Sequence, residues 1–424
     1  CSTLERPALI PWRKVADVED AVTGFDIKGE TIFLKSHRDA PRFKVLATAA
    51  ATPDLASAVT VVPESTVVIQ DLRVAGDYLL TRDLDGGIGR LRRTPLAGGT
   101  PQPVALPFEG TVRELAGAPA APQVLLQLTS WTESPRIFRC DVQEATVEDT
   151  GWLPPSPIDF GDIEAHEVQA PAPDGTLVPL SIVHRKGLPR DGSSPTLLMG
   201  YGSYGFTLDP AFVPAMLAWY ERGGVYAIAH LRGGGEYGDD WHRAGQKLNK
   251  EHTITDLIAC AEYLIAHGYT CPERLAGEGT SAGGIPSGGA LVRRPDLWAV
   301  MVIRVGVTNT LRVETSENGP NNVPEFGSVS TEEGFRGLLI TDSYSRVRKG
   351  LAYPAVLLTT GLNDPRVVVW QASKMAARLQ AATSSGKPIL LRVEEQAGHG
   401  MGSTRRQIDE ELADTLAFLL DQFA

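Results

Sequence analysis

The sequence predicts an all-β N-terminal half followed by an α/β domain, and three observations carry that prediction. Up to about Thr150 the chain is a series of short alternating segments rich in Val, Leu and Thr; beyond Ile163 it alternates apolar runs with helical ones; and one of those runs leads through a Gly-Thr-Ser-Ala-Gly turn into a helix.

In the first half, segments such as Thr31-Ile-Phe-Leu, Thr66-Val-Val-Ile and Gln123-Val-Leu-Leu-Gln-Leu are separated by turn clusters such as Asp83-Leu-Asp-Gly-Gly and Ala97-Gly-Gly-Thr-Pro. They recur about every ten residues, and four of them make a blade of roughly 40 to 50 residues, which is the pattern of a β-propeller. About three blades fit, fewer than the roughly four to eight a closed ring needs. The expectation is therefore a partial propeller over residues 1–155, completed by a segment or a second chain outside this sequence.

In the second half, 156–424, six runs read as buried strands joined by crossover helices: Pro195-Thr-Leu-Leu-Met, Gly224-Val-Tyr-Ala-Ile-Ala, Arg274-Leu-Ala-Gly-Glu, Ala299-Val-Met-Val-Ile, Ala355-Val-Leu-Leu-Thr and Pro388-Ile-Leu-Leu-Arg-Val. A helix is expected from Thr253 to His267, capped by Thr253. The last helix should place Ile408, Leu412, Leu416, Leu419 and Phe423 on one stripe against the sheet.

Composition bounds the function. The net charge of -11 offers no basic face to nucleic acid or acidic membranes. The best apolar run, Leu297 to Val307, contains Arg304 and falls short of the roughly 20 residues of a spanning helix, so a soluble protein is expected, with the compartment open between cytoplasm and periplasm. Cys1, Cys140, Cys260 and Cys271 are too scattered for a disulfide scaffold and form no zinc-type pair; neither metal nor cofactor is expected.

The chemistry starts at Gly279-Thr-Ser-Ala-Gly283, a nucleophile elbow between a strand and a helix. The flanking glycines let strand and helix approach closely, the turn lifts the Ser281 hydroxyl above the sheet, and the helix start offers free N–H groups to an oxyanion. Such a site needs an acid and then a histidine on loops after later strands. His399, in Ala397-Gly-His-Gly-Met-Gly402, is the one histidine of eight beyond Ser281. Asp364 follows the strand Pro354 to Thr360, whereas Asp342 precedes it and Asp409 and Asp414 lie on the last helix. The reading is an α/β-hydrolase with Ser281 as nucleophile, His399 as base and Asp364 as its orienting acid. Gly233-Gly-Gly-Glu-Tyr-Gly238 fits a dinucleotide-loop pattern but runs on without a clean helix, and reads as structural.

Gly200-Tyr-Gly-Ser-Tyr-Gly205, Leu231-Arg-Gly-Gly-Gly-Glu-Tyr-Gly238, Gly279 to Gly284, Asp364-Pro-Arg-Val-Val368 and Ala397 to Gly400, in this order, resemble the prolyl oligopeptidase family of serine peptidases. The β half is similar to the C-terminal blades of that family's propeller. The resemblance implies a seven-bladed propeller that admits peptides and excludes folded proteins. It implies an oxyanion hole from the Tyr201 hydroxyl and the Ala282 N–H, and Arg366 as the group that holds a substrate carbonyl. Where prolyl oligopeptidases stack the substrate proline on a tryptophan, this sequence has Asn322 or Val323. Where oligopeptidase B offers acids to Arg or Lys, it supplies only Glu325 nearby. Tyr204, Val307, Phe326 and Val367 would then line an apolar pocket for proline or a small apolar side chain. The expected activity is a serine endopeptidase on short peptides. An esterase or acylaminoacyl peptidase on the same triad, or an inactive fragment needing a second chain, remain the alternatives.

Overall fold

A computed structural model describes residues 13–400 and 403–424; Cys1 and the Met401-Gly402 end of the histidine motif lie outside them. The chain divides into two compact units. One runs to Leu128 and adds Pro135–Pro154; the other comprises Thr129–Ser134 and Pro155–Ala424.

The first unit contains three four-stranded antiparallel sheets. They are built from Val22–Lys28, Thr31–Ser36, Lys44–Ala49 and Val59–Val62; from Val68–Ala75, Tyr78–Asp85, Ile88–Pro95 and Gln102–Pro103; and from Thr111–Ala116, Gln123–Thr129, Arg136–Asp141 and Thr146–Asp149. The alternation read from the sequence becomes alternation of faces: Leu80, Leu91, Leu126 and Phe138 are buried in one shared apolar cluster. Among the buried polar residues, the Asp83 carboxylate is fully buried and held in a fork by the Arg92 guanidinium at 2.6 and 3.0 Å, with Thr81 donating to it. Burial pushes that carboxyl's pKa up against the pull of Arg92.

The second unit is an eight-stranded sheet. Its strands are β1 (Ile163–Pro171), β2 (Leu177–Arg185), β3 (Thr196–Gly200), β4 (Val225–Ala229), β5 (Leu275–Thr280), β6 (Val300–Arg304), β7 (Ala355–Gly361) and β8 (Ile389–Glu394), in spatial order 1-2-4-3-5-6-7-8. The pairs β1·β2 and β2·β4 are antiparallel and the rest are parallel. All six runs read as buried strands are the parallel ones. In β7 every residue is buried, as expected of a strand covered on both faces; β8, also read as buried, is not, for only Ile389 is buried and Leu390 and Val393 are exposed at the sheet edge.

Four helices matter for the site: α1 (Glu251–Ala266), α2 (Gly284–Arg293), α3 (Trp370–Ala382) and α4 (Arg405–Gln422). Two details of the sequence reading change. Helix α1 begins at Glu251, and Thr253 lies inside it, its hydroxyl donating back to the Lys250 carbonyl at 2.8 Å. On α4, Ile408 is exposed; only Leu416, Leu419 and Phe423 are buried in the core, with Leu412 packed beside them. Arg304, the charge inside the apolar run, reaches Glu278 on β5 at 3.3 Å and Glu411 on α4 at 3.0 Å, tying the C-terminal helix to the sheet. Among the described residues, no helix is long and apolar enough to cross a membrane.

Candidate active site

The site is built at the carboxyl ends of β3, β5, β7 and β8. At the end of β5 the chain turns through Ser281, whose φ of 57° is left-handed, into a short turn (Ser281–Gly283) that continues as α2. A side chain at Gly279 would overlap the Gly283 carbonyl oxygen and the Ser287 hydroxyl, so only glycine allows strand and helix to lie this close. The Ser281 carbonyl accepts from the Val307 N–H at 2.9 Å, which anchors the strained turn to the loop after β6.

Ser281, Asp364 and His399 meet. His399 Nε2 lies 2.9 Å from Ser281 Oγ and its Nδ1 lies 2.7 Å from Asp364 Oδ2. An ionised carboxylate only accepts, so Nδ1 carries the proton and Nε2 is the acceptor for the serine hydroxyl. The Asp364 side chain is fully buried and that of His399 only 7% exposed. The other oxygen of Asp364 is taken by the N–H groups of Arg366 and Val367, at 2.8 and 2.9 Å, so the carboxylate is clamped by its own loop. The histidine loop is clamped to it in turn, through Asn363 N–H to the Ala397 carbonyl and the Asn363 amide to the Glu395 carbonyl.

The rival acids have other occupations. Asp342 is buried, caps the Ser343–Arg346 turn and binds the Asn309 amide at 2.6 Å; Asp409 and Asp414 pair with Arg405 and Arg392.

On the opposite side of Ser281 stands the loop after β3. The Tyr201 hydroxyl is near enough to Ser281 to be influenced by it; burial pushes its pKa up, opposed chiefly by the charge of Arg366, so it is a neutral donor. Ala282 is buried in the first turn after Ser281, where its N–H has no earlier helical carbonyl to bind. Ala282, Val307, Phe326 and Val367 form one apolar cluster with Ile285, Val313 and Leu338, and Tyr201 packs against it. Tyr204 joins by a tilted ring contact with Phe326, centroids 5.5 Å apart, and by donating its hydroxyl to Asn322 Oδ1 at 2.7 Å. Val323 is outside this cluster and half-buried, its carbonyl accepting from Gly327 N–H. Of the two positions proposed for the missing tryptophan, Asn322 is thus the one tied to the pocket residues. Arg366 is exposed beside Tyr201 and Tyr204, close enough for its charge to act on both phenols.

Sequence reasoning missed a buried ionic group behind this loop. Glu325, considered only as a partner for a substrate cation, is 3% exposed and bound by Lys250 Nζ at 2.7 Å and His242 Nε2 at 2.7 Å. Burial pushes Glu325 up, but His242 and Lys250 outweigh it and hold its pKa at about 2. Nothing local marks Lys250 in the sequence, because its partner is 75 residues away. The Gly233–Gly238 loop packs against the loop after β3: a side chain at Gly233 would overlap the Gly202 carbonyl oxygen, and its own carbonyl accepts from Gly205 N–H at 3.0 Å.

Glu164, His166 and His184, on β1 and β2, bring metal-ligand atoms within 4.8 Å of one another. His184 Nδ1, which faces Glu164 at 3.7 Å, already donates to the Arg185 carbonyl at 2.8 Å, so the arrangement leaves that nitrogen with no lone pair for an ion.

Known proteins share this architecture. The family model described as "Prolyl oligopeptidase family" matches residues 210–424, and that of the "Prolyl oligopeptidase, N-terminal beta-propeller domain" matches 2–150. The blades expected from the C-terminal part of a propeller thus fall in what the family counts as its N-terminal domain. A prolyl endopeptidase of Elizabethkingia meningoseptica is 32% identical over 407 residues, 94% of this chain and 57% of the relative. A solved structure from a study of two prolyl endopeptidases superposes with a TM-score of 0.90 at 33% identity, covering 95% of this chain and 59% of the other. Oligopeptidase B from Leishmania major gives 0.86 at 27% identity, over 95% and 58%. The chain therefore spans a little over half the length of these relatives. With both models matched in order and the serine, histidine and aspartate assembled at the sheet's carboxyl edge, the chain belongs to the prolyl oligopeptidase family.

Proposed function

We propose that residues 156–424 form the peptidase domain, and 1–155 part of the propeller, of a serine endopeptidase that cleaves short peptides after an uncharged residue, proline or a small apolar one. The observation that carries the reading is the unbroken chain from Ser281 Oγ through His399 to Asp364, at 2.9 and 2.7 Å. Ser281 Oγ attacks the scissile carbonyl carbon as its proton passes to His399 Nε2. The Tyr201 hydroxyl and Ala282 N–H stabilise the oxyanion. The tetrahedral adduct collapses, the C–N bond breaks and the amine leaves with the proton from His399. Water then repeats the sequence on the acyl-enzyme, giving its proton to His399 and releasing Ser281. Arg366, exposed beside the two phenols, is placed to bind a substrate carbonyl.

Specificity for an uncharged side chain is supported by the apolar cluster of Val307, Phe326 and Val367, bordered by Tyr204 and Asn322, and by the engagement of Glu325 with Lys250 and His242. A carboxylate already neutralised by two partners has little to offer an arginine. Relatives that carry the matched part and more within one chain favour a further segment of the same protein, over a second chain, as what completes the propeller.

The test is labelling of the full-length protein with a fluorophosphonate, followed by a panel of peptide amides varied at the residue before the cut. Labelling that is lost in Ser281→Ala, with turnover of Pro and Ala substrates above Arg and Lys, is expected. Ester turnover without any amide turnover would replace the endopeptidase reading by the esterase one.

A further inference from the structure

Tyr201 can serve an oxyanion only if the loop that carries it is rigid, yet that loop has little regular structure of its own. Residues Gly202, Tyr204 and Gly205 all have left-handed φ, of 64, 60 and 63°. For Tyr204 this is a conformation that a side chain disfavours, at a cost on the order of 1 kcal/mol or more, so the loop must be held from outside.

Two supports are visible. The backbone of Gly233 abuts the loop on one side. Elsewhere, Lys250 Nζ donates to the Gly202 carbonyl at 2.8 Å and to Glu325 at 2.7 Å, while Phe326, the chain neighbour of Glu325, packs its ring against that of Tyr204. The Lys250 and Glu325 side chains are 2% and 3% exposed. His242 completes the group, and the amide of Gln246 reaches both Glu325 and the Pro324 carbonyl. Gly202, the residue after Tyr201, is thus held by the cationic member of a buried ion pair.

We propose that Lys250, Glu325 and His242 are positioning residues for the oxyanion site: the ion pair fixes the left-handed turn after Tyr201 through the Gly202 carbonyl, and so sets where the Tyr201 hydroxyl stands relative to Ser281. The proposal rests on the serine-peptidase reading above. The ammonium grips the Gly202 carbonyl while Glu325 and His242 hold the other side of the network, so the loop is tied at the residue next to Tyr201 to a group that cannot move without unpairing buried charge. A salt bridge needed only to bind two segments together would have no reason to spend a hydrogen bond on this backbone.

The experiment compares Lys250→Met, Glu325→Gln and the double variant Lys250→Met/Glu325→Leu with wild type in the full-length protein. It reads Tm, kcat and KM on a peptide amide, all rates being normalised to the number of sites that a fluorophosphonate labels. Each single variant strands a buried group and should lose Tm; the double variant leaves neither charge unpaired and should regain much of it. If the pair positions the loop, kcat per labelled site stays roughly a hundredfold below wild type in all three, with KM within about threefold, because the loss falls on the transition state. Wild-type kcat per labelled site in the double variant would overturn the proposal and leave the pair a structural one. Failure of wild type to label, or labelling of Ser281→Ala, would instead strike the serine reading itself, before any network variant is compared.

Discussion

The two sides of the site are built by different means. The side to which the proposed mechanism assigns proton transfer, Ser281, Asp364 and His399, stands at the ends of β5, β7 and β8, adjacent or near-adjacent strands whose parallel register fixes where each loop begins. The facing side, Tyr201, Tyr204 and the residues proposed to line the pocket, hangs on loops joined by polar contacts between segments 48 and 118 residues apart, the buried one from Lys250 to Gly202 and the exposed one from Tyr204 to Asn322. The first side inherits its geometry from the sheet; the second has to be assembled. Disturbance of the sheet side should therefore abolish chemistry while leaving the fold intact, whereas disturbance of the loop side should affect rate and stability together.

The sharpest version of that contrast is Ser281→Ala, expected to lower kcat roughly a millionfold, the scale found when a serine triad loses its nucleophile, with Tm essentially unchanged; a steady-state assay beside a thermal melt checks both. On the facing side, Tyr201→Phe removes one oxyanion donor and keeps the ring packed on Phe206, so a kcat loss of roughly a hundred- to a thousandfold is expected with KM little altered. An unchanged kcat would remove Tyr201 from the oxyanion hole.

The loop side should also show a pH dependence of stability. Glu325 is held near a pKa of about 2 against an ordinary value of 4.5. A carboxyl depressed in the folded state contributes stability that is complete above about 4.5 and is lost as pH falls toward about 2. The contribution is about 3 kcal/mol. Urea unfolding of wild type and Glu325→Gln across that window should find the gap between them widest near neutrality and closing in acid. At the far end of the scale, Thr404→Ala removes the cap of α4, where the Thr404 hydroxyl and Gln407 bond reciprocally. It should cost about 1 kcal/mol in unfolding measurements and leave kcat unaltered.

The same contrast explains what the sequence could tell. The six parallel strands were readable as short apolar runs bounded by turns, although β8 is largely open and the buried β2 escaped that reading; Asp364 is singled out because Asp342 precedes β7 and Asp409 and Asp414 lie on the last helix, beyond His399. Strand β1 was harder: at the sheet edge its burial is mixed, with Glu164, Ala165 and His166 in succession at least partly open. The helix stripe extended one turn too far at Ile408, since an apolar residue in a helical period is no guarantee of a partner at the helix end. Lys250 and Glu325 were unreadable for the opposite reason. Each is a charged residue of ordinary composition, and only the tertiary fold turns them into a buried pair. Asn322 and Val323 could not be separated by sequence because they are neighbours in one turn; the Tyr204 hydroxyl distinguishes them.

The divided carboxylate of Asp364 has one more consequence. One of its oxygens is claimed by two backbone N–H groups and the other by His399. In Asp364→Asn the single remaining carbonyl oxygen would be drawn to the two N–H donors, and the amide NH2 would be turned toward the imidazole. His399 Nδ1 would then have to accept, its proton would move to Nε2, and the ring would present a donor to a serine that needs an acceptor. The loop thus acts as a tautomer selector: a substitution of nearly identical shape would leave three groups in place with the proton on the wrong nitrogen, and a rate loss of roughly ten-thousandfold would come with no visible change in structure.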